Sequence, residues 1–402
     1  VLGASAVAGA CAAGATGGAA AGPSGAASGL PTVECPTGVS TAPGAQGVIA
    51  QRQLLLRRYP DAVTAAQAGL AADSANPQLL FILGQAQIGV GRFAAADSAW
   101  DRVVALCPAF EAEVTPLRRE AGNQAYSTGN EKLSANDTAS AMAGWAQAVS
   151  LNNQIPEAHY NMGVVHANRS EFTQAAERYR QALDIVNALP ADTSATVTSE
   201  RADLRQSIIA GLSNVAARQL EKEQFAPATE LFRYLTSLDR NDRFSWFNYM
   251  VGLYRQQRWD DLVPVAQRVI AIEPLNQDAG IILFNAYKGQ MQAAEAARNT
   301  ARRAEMEKIT IATLEQVDSL PVYVEDLRLD GAGSGQAALT GRVMGNRARP
   351  GTQMTLTFTF YGPSGPVGTP QSATVAAPAK SGSVAFRVPF PAGATSFSYT
   401  YR

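Results

Sequence analysis

From about residue 46 to residue 308, apolar residues recur at spacings of three and four, in paired runs separated by short polar turns. That spacing predicts amphipathic helices. The paired runs are themselves alike. "LGQAQIGVGRFAAADSAWDRVVALCP" aligns with "MGVVHANRSEFTQAAERYRQALDI", matching Leu83-Gly84 to Met162-Gly163, Phe93 to Phe172, Ala96 to Ala175 and Trp100 to Tyr179. "FAPATELFRYLTSL" keeps the frame through Phe225, Ala228 and Phe232; "WDDLVPVAQRVIAIEP" keeps it through Trp259, Leu262, Ala266 and Pro274. After about residue 318 the period changes. Met354, Leu356, Phe358 and Phe360 alternate with Thr355, Thr357, Thr359 and Tyr361, a period of two that predicts strands with one buried face.

The residue types in the helical part have a packing logic. Gly84 and Gly163 let the first helix of a pair approach the second closely, and Ala96, Ala175 and Ala228 do the same from the other side. Trp100, Tyr179 and Phe232 fill the space between neighbouring pairs, where a large aromatic buries roughly 150–250 Å². Pro108 and Pro274 stop the second helix. This pattern, with a period of about 34 residues, resembles the tetratricopeptide repeat (TPR). In that frame units fall at 77–110, 156–189, 209–242 and 243–276, with a degenerate first unit near 46–76. A unit at 115–155 keeps Gly122, Ala141 and Trp145 and is expected to carry an insertion around "LSANDTAS"; a second insertion is expected at 189–203. The last hairpin, "AGIILFNAYKGQMQAAEAARNTARRAEMEK", is polar, as a terminal cap must be.

The expected fold class is therefore α + β and multidomain: a TPR solenoid of about six to seven helix hairpins, then a small antiparallel β-sandwich. The expected boundaries are an Ala/Gly-rich segment at 1–45, the solenoid at 46–308, a linker at 309–317 and the sandwich at 318–402. "VYVEDLRLDG", "ALTGRVMGN", "GSVAFRVPF" and "SFSYTYR" supply further strands, suggesting an immunoglobulin-like arrangement. "TGRVMGN" followed by "LTFTFYGPSG" resembles the FxLYD-type domains of bacterial surface proteins. No acid follows Asp330, whereas Arg342, Arg347, Arg349, Lys380, Arg387 and Arg402 do, giving a mildly basic surface.

The first 31 residues hold 12 Ala, 8 Gly and no charge. Such a stretch buries too little side chain to offset its ordering entropy. "VLGASAVAGAC" resembles the end of a bacterial lipoprotein signal peptide, which would make Cys11 the lipidated residue; a plain export signal followed by an Ala/Gly linker is the other reading. Either implies export to the cell envelope or beyond. With Cys11 lipidated or removed, Cys35 and Cys107 remain, and an exported chain is expected to pair them. The net charge is −1, so no field favours nucleic acid, and a membrane is expected to be met only through a lipid anchor.

Candidate chemistry is sparse. His159 and His166 lie seven apart on one helix, about 10.5 Å of rise, too far to share a metal. "GVGR" at Gly89–Arg92 and "GAGSG" at Gly331–Gly335 lack the lysine and hydroxyl of a phosphate loop. Asp260-Asp261 sits at a helix start, where carboxylates favour the dipole. No catalytic residue, metal or cofactor is expected, and the chain is expected not to be an enzyme. Asn136 ("NDT") and Asn168 ("NRS") match the N-glycosylation sequon.

What remains is the groove that the TPR resemblance implies, lined by set positions of each first helix: Phe81, Gln85 and Ile88, then Tyr160, Val164 and Asn168, then Ser213 and Leu220, then Phe244, Phe247, Tyr254 and Arg255. The family's carboxylate clamp needs lysine where Tyr160 and Phe247 stand. The groove is expected instead to take an apolar or aromatic segment. The implied function is a non-enzymatic extracytoplasmic scaffold for protein partners, copies of itself included. The alternative is a subunit of an extracellular fibre, joined head to tail through the N-terminal segment and the sandwich.

Overall fold

The computed structural model describes residues 30–190, 194–331, 337–362 and 365–402. The chain forms two compact units, one reaching to Ala158 and one running from His159 to Arg402. Among the described residues there are fourteen α-helices followed by seven strands in two antiparallel sheets. This is the α-helical repeat and β domain that the two periodicities predict. Cys11 and most of "GAGSG" lie outside the described residues.

The first unit holds three helix pairs: α1 (Gly44–Leu55) with α2 (Tyr59–Ala72), α3 (Pro77–Gly89) with α4 (Phe93–Leu106), and α5 (Glu111–Ser134) with α6 (Thr138–Leu151). Each pair turns through a residue in the left-handed region: Arg57, Gly91 and Asn136. The residue after it donates its N–H back across the helix end, as in Arg92 to Gln87 O at 2.8 Å and Asp137 to Lys132 O at 2.9 Å. This is the Schellman closure. Only one of these three turns uses glycine, so the others carry no signal in composition.

Close approach in each pair follows the small residues. A Cβ on Gly84 would lie 2.2 Å from Trp100 Nε1, and one on Gly129 would lie 2.6 Å from Trp145 Cδ1. Gly129 is thus the counterpart of Gly84 in the third pair, and Gly122 is close-packed as well, since its Cβ would lie 2.7 Å from Asn152 Cβ. The insertion expected around "LSANDTAS" is absent. Residues 133–140 are an ordinary helix end, turn and helix start, with the Asp137 carboxylate accepting from Ser140 N–H at 3.0 Å. The extra residues instead lengthen α5 at its start, to 24 residues against 13 for α3. Pro116 lies inside that extension and hides it from a helical reading of the sequence.

Residues 30–43 are tied to the first helix pairs. Cys35 and Cys107 form a disulfide with Cα atoms 5.0 Å apart. Gln78 donates to Pro31 O and Asn76 to Ala42 O, both at 2.8 Å. Leu30 packs beside Ala50, Ala66 and Ile82. Closing a loop of this length contributes roughly 4 kcal/mol in the chain-entropy account.

The second unit carries α7 (Pro156–Asn168) from His159 onward, then α8 (Phe172–Ala188), α9 (Ala195–Glu221), α10 (Phe225–Leu238), α11 (Arg243–Arg255), α12 (Trp259–Ile272), α13 (Gln277–Ala296) and α14 (Thr300–Asp318). Its turns again pass through left-handed residues, Ser170, Glu223, Gln257 and Arg298. Tyr179 fills the space between two pairs as expected: Cβ atoms on Gly163 and Gly211 would each lie 2.7 Å from its ring. The expected insertion at 189–203 is mostly helix, because α9 begins at Ala195 behind a Ser194 cap. Residues 309–317, expected as a linker, are the second half of α14. Met306, Thr310, Thr313 and Val317 keep a buried helical stripe through it.

The β region comprises β1 (Val322–Asp330), β2 (Ala338–Gly345), β3 (Gln353–Gly362), β4 (Gly365–Pro366), β5 (Gln371–Ala376), β6 (Ser383–Pro389) and β7 (Ser396–Tyr401). One sheet runs β1-β2-β6; in the other, β3 pairs with β4, β5 and β7. Met354, Leu356, Phe358 and Phe360 are buried, as the alternation predicts, and the Phe358 ring stacks 5.5 Å from Phe386 of the facing sheet. This core does not stand apart from the helices. Leu275, in the loop after α12, is fully buried within it. Leu275 O accepts from Val324 N–H at 3.0 Å, and its N–H donates to Tyr399 Oη at 3.2 Å. Ser396 Oγ donates to Asn241 O, and Arg243 lies over the Phe397 ring while pairing with the buried Glu273.

Candidate groove on the first helices

In the first unit, Phe81 is buried, its ring 5.5 Å from Phe110, so it is a core residue and not an open groove contact. Gln85 and Ile88 are half-buried on α3.

In the second unit, Tyr160 and Val164 of α7 are half-buried against the helical core, with the Tyr160 ring 5.7 Å from Tyr179. Asn168 is exposed at the end of α7. Ser213 and Leu220 are half-buried on α9. On α11, Phe244 is 36% exposed, its ring edge-on to Phe232 at 6.0 Å. Phe247 and Tyr254 are half-buried, and Tyr254 meets Trp259 edge-on at 6.0 Å. These three lie at i, i+3 and i+10, one stripe of the helix. Arg255 is engaged within the protein: its guanidinium lies 4.5 Å from the Phe225 ring centroid and 3.5 Å from Glu223 Oε1.

Ile281 was not among the residues singled out from sequence. It is the fifth residue of α13, as Phe247 is of α11 and Tyr160 of α7, and it is 40% exposed. The polar character of the last hairpin concealed it.

The remaining candidates have structural partners. His159 is buried, and His166 Nδ1 lies 2.6 Å from Glu171 Oε2. Asp260 accepts from Gln290 at 2.7 Å, and Asp261 pairs with Arg258 at 2.8 Å. Asn136 is exposed at the left-handed turn before α6. Among the described residues, no group of three His, Cys, Asp or Glu side chains could hold a metal, and no helix is long and apolar enough to cross a membrane. Burial raises the pKa of the Asp242 carboxyl above its ordinary value, and the side chain caps α11 by accepting from Phe244 and Ser245 N–H.

No family model and no curated protein matches the sequence. Solved structures similar to parts of it are repeat proteins. YrrB, a TPR protein with an unusual peptide-binding site, is 17% identical, with 48% of this chain and 85% of that chain covered and a TM-score of 0.27. The C-terminal part of a TPR repeat-containing protein from Cytophaga hutchinsonii is 11% identical over 67% of this chain and 98% of its own, with a TM-score of 0.26. The P58(IPK) TPR domain is 12% identical over 68% and 99%, with a TM-score of 0.21.

Proposed function

We propose that this chain is an exported, non-enzymatic scaffold that holds an extended segment of another protein against its first helices. The observation that carries this is the partly exposed apolar stripe of Phe244, Phe247 and Tyr254 on α11, continued by Ile281 on α13. Large side chains left partly open on a rigid helical frame are suited to anchor apolar side chains of a peptide, since hot spots at interfaces are enriched in aromatics. The one cation at this end of α11, Arg255, is already stacked and paired, which disfavours clamping a carboxylate. The Cys35–Cys107 disulfide supports an oxidising compartment.

A peptide array graded in aromatic and aliphatic content tests the groove, followed by calorimetry on the best binders. Phe244→Ser and Ile281→Ser, each checked for unchanged helical circular dichroism because the Phe244 ring also packs on Phe232, are expected to weaken binding about tenfold each, or roughly 1.4 kcal/mol. Peptides that bind the double variant as tightly as the unaltered chain would refute this groove.

A further inference from the structure

We infer that the two ends of the helical repeat are complementary, and that the partner for α1 is α14 of a second copy of this chain. In α1 the inward face (Gly47, Ala50) packs on its own hairpin, yet the outward face is apolar too. Val48, Ile49, Leu55 and Leu56 are 59, 45, 51 and 53% exposed. They lie at i, i+1, i+7 and i+8, a continuous stripe, and a helix apolar on both faces is a helix meant to be covered.

The repeat itself says by what. Counted back from the left-handed residues Arg57 and Gly91, Val48, Ile49 and Leu56 hold the places that Ile82, Leu83 and Val90 hold in α3. Those three pack on the preceding α1–α2 hairpin: Ile82 against Ala50 and Ala66, Leu83 and Val90 against Ala62 and Val63. The open face of α1 is therefore shaped to follow another hairpin of this kind, and among the described residues none precedes it.

The opposite surface is on α14. Ile311 and Leu314 are 54 and 42% exposed. Counted forward from Arg298 and Ser170, they hold the places of Leu183 and Val186 in α8. Those two are buried with Ile208 and Leu212 of the helix that follows. The charges fit as well. Residues 36–60 contain no acid, and Arg52, Arg57 and Arg58 are exposed around the α1 stripe. Glu307, Glu315 and Asp318 are exposed around Ile311 and Leu314; of the nearby cations, Arg303 pairs with Glu307, Arg347 donates to Asp318 O, and Lys308 lies alongside. Such a contact joins unlike faces, so it closes into a ring or propagates as a filament according to its rotation. It uses neither the groove nor the N-terminal segment.

Sedimentation velocity of the full chain, with Cys11→Ser throughout to exclude stray disulfides, tests this. The parent is expected to associate with concentration, and less so at high salt. Leu56→Glu and Ile311→Glu should each be monomeric alone, raising the dissociation constant at least tenfold, with helical circular dichroism unchanged. Mixed one to one, they should form a dimer and nothing larger, because each retains the end that the other lacks. Arg52→Glu and Glu315→Arg should each weaken association and together restore it. A parent that stays monomeric to millimolar concentration overturns the inference, as does a mixture that fails to dimerise. So does a chain that associates only once residues 1–29 are deleted, since that segment would then be what covers α1.

Discussion

Gly84 and Trp100 offer a test of the repeat's packing in which the sign of an effect must reverse. Gly84 lies inside α3, and a helix-interior glycine is about 1 kcal/mol worse than alanine on propensity alone. Yet the Cβ of an alanine would stand 2.2, 2.5 and 2.7 Å from three atoms of the buried Trp100 indole. The indole or the helix must shift, and overpacking of this kind costs about 1–3 kcal/mol. Gly84→Ala alone should therefore destabilise the α3–α4 pair by up to about 2 kcal/mol once propensity is credited. Trp100→Ala leaves a cavity and should cost about 3–5 kcal/mol. In that background the clash is gone and the methyl enters the cavity, so adding Gly84→Ala should stabilise by up to about 1 kcal/mol. Because repeat arrays spread damage chiefly to neighbours, the readout should be local. Native-state hydrogen exchange of α3 and α4 amides supplies it, with the β-sheet amides as an internal reference. If Gly84→Ala costs the same with and without Trp100, the close approach does not govern this glycine and the argument fails.

Leu275→Ala should cost about 2–5 kcal/mol and loosen the sheets together with α12. Residues 319–402 produced alone should melt below the same sheets in the full chain, and equal melting by circular dichroism would contradict a shared core. Asp242→Asn keeps a good cap while removing a carboxylate whose protonation burial favours. A raised folded-state value means that the charged form is penalised above it, so the variant should gain stability over the parent at neutral pH. That gain should vanish as pH falls through the raised value of Asp242, and thermal melts of both proteins across pH 3 to 8 follow it.

Much of this molecule is written in local pattern. The spacing of Gly84, Ala96 and Trp100, repeated in Gly163, Ala175 and Tyr179, is enough for the helix pairs, because a 3.6-residue period and one missing side chain fix which faces can meet. The alternation from Met354 to Phe360 likewise fixes which face of β3 is buried. The choice of Phe244, Phe247 and Tyr254 as one side of α11 came from the TPR resemblance.

Tertiary structure decided the rest. Five of the seven left-handed turn residues are charged or amide-bearing, Arg57, Asn136, Glu223, Gln257 and Arg298; Ser170 and Gly91 complete the set. A turn imposed by helix packing needs no glycine, so composition could not locate it. The lengths of α5, α9 and α14 are not legible in the pattern, because Pro116 or a polar run hides a stripe whose burial depends on distant helices. The burial of Leu275 beneath the sheets joins residues far apart in sequence. So does the contrast between an open α1 and a covered α3 carrying equivalent residues. A side chain's pattern position states which way it points; only the assembled neighbours determine whether anything is there to meet it.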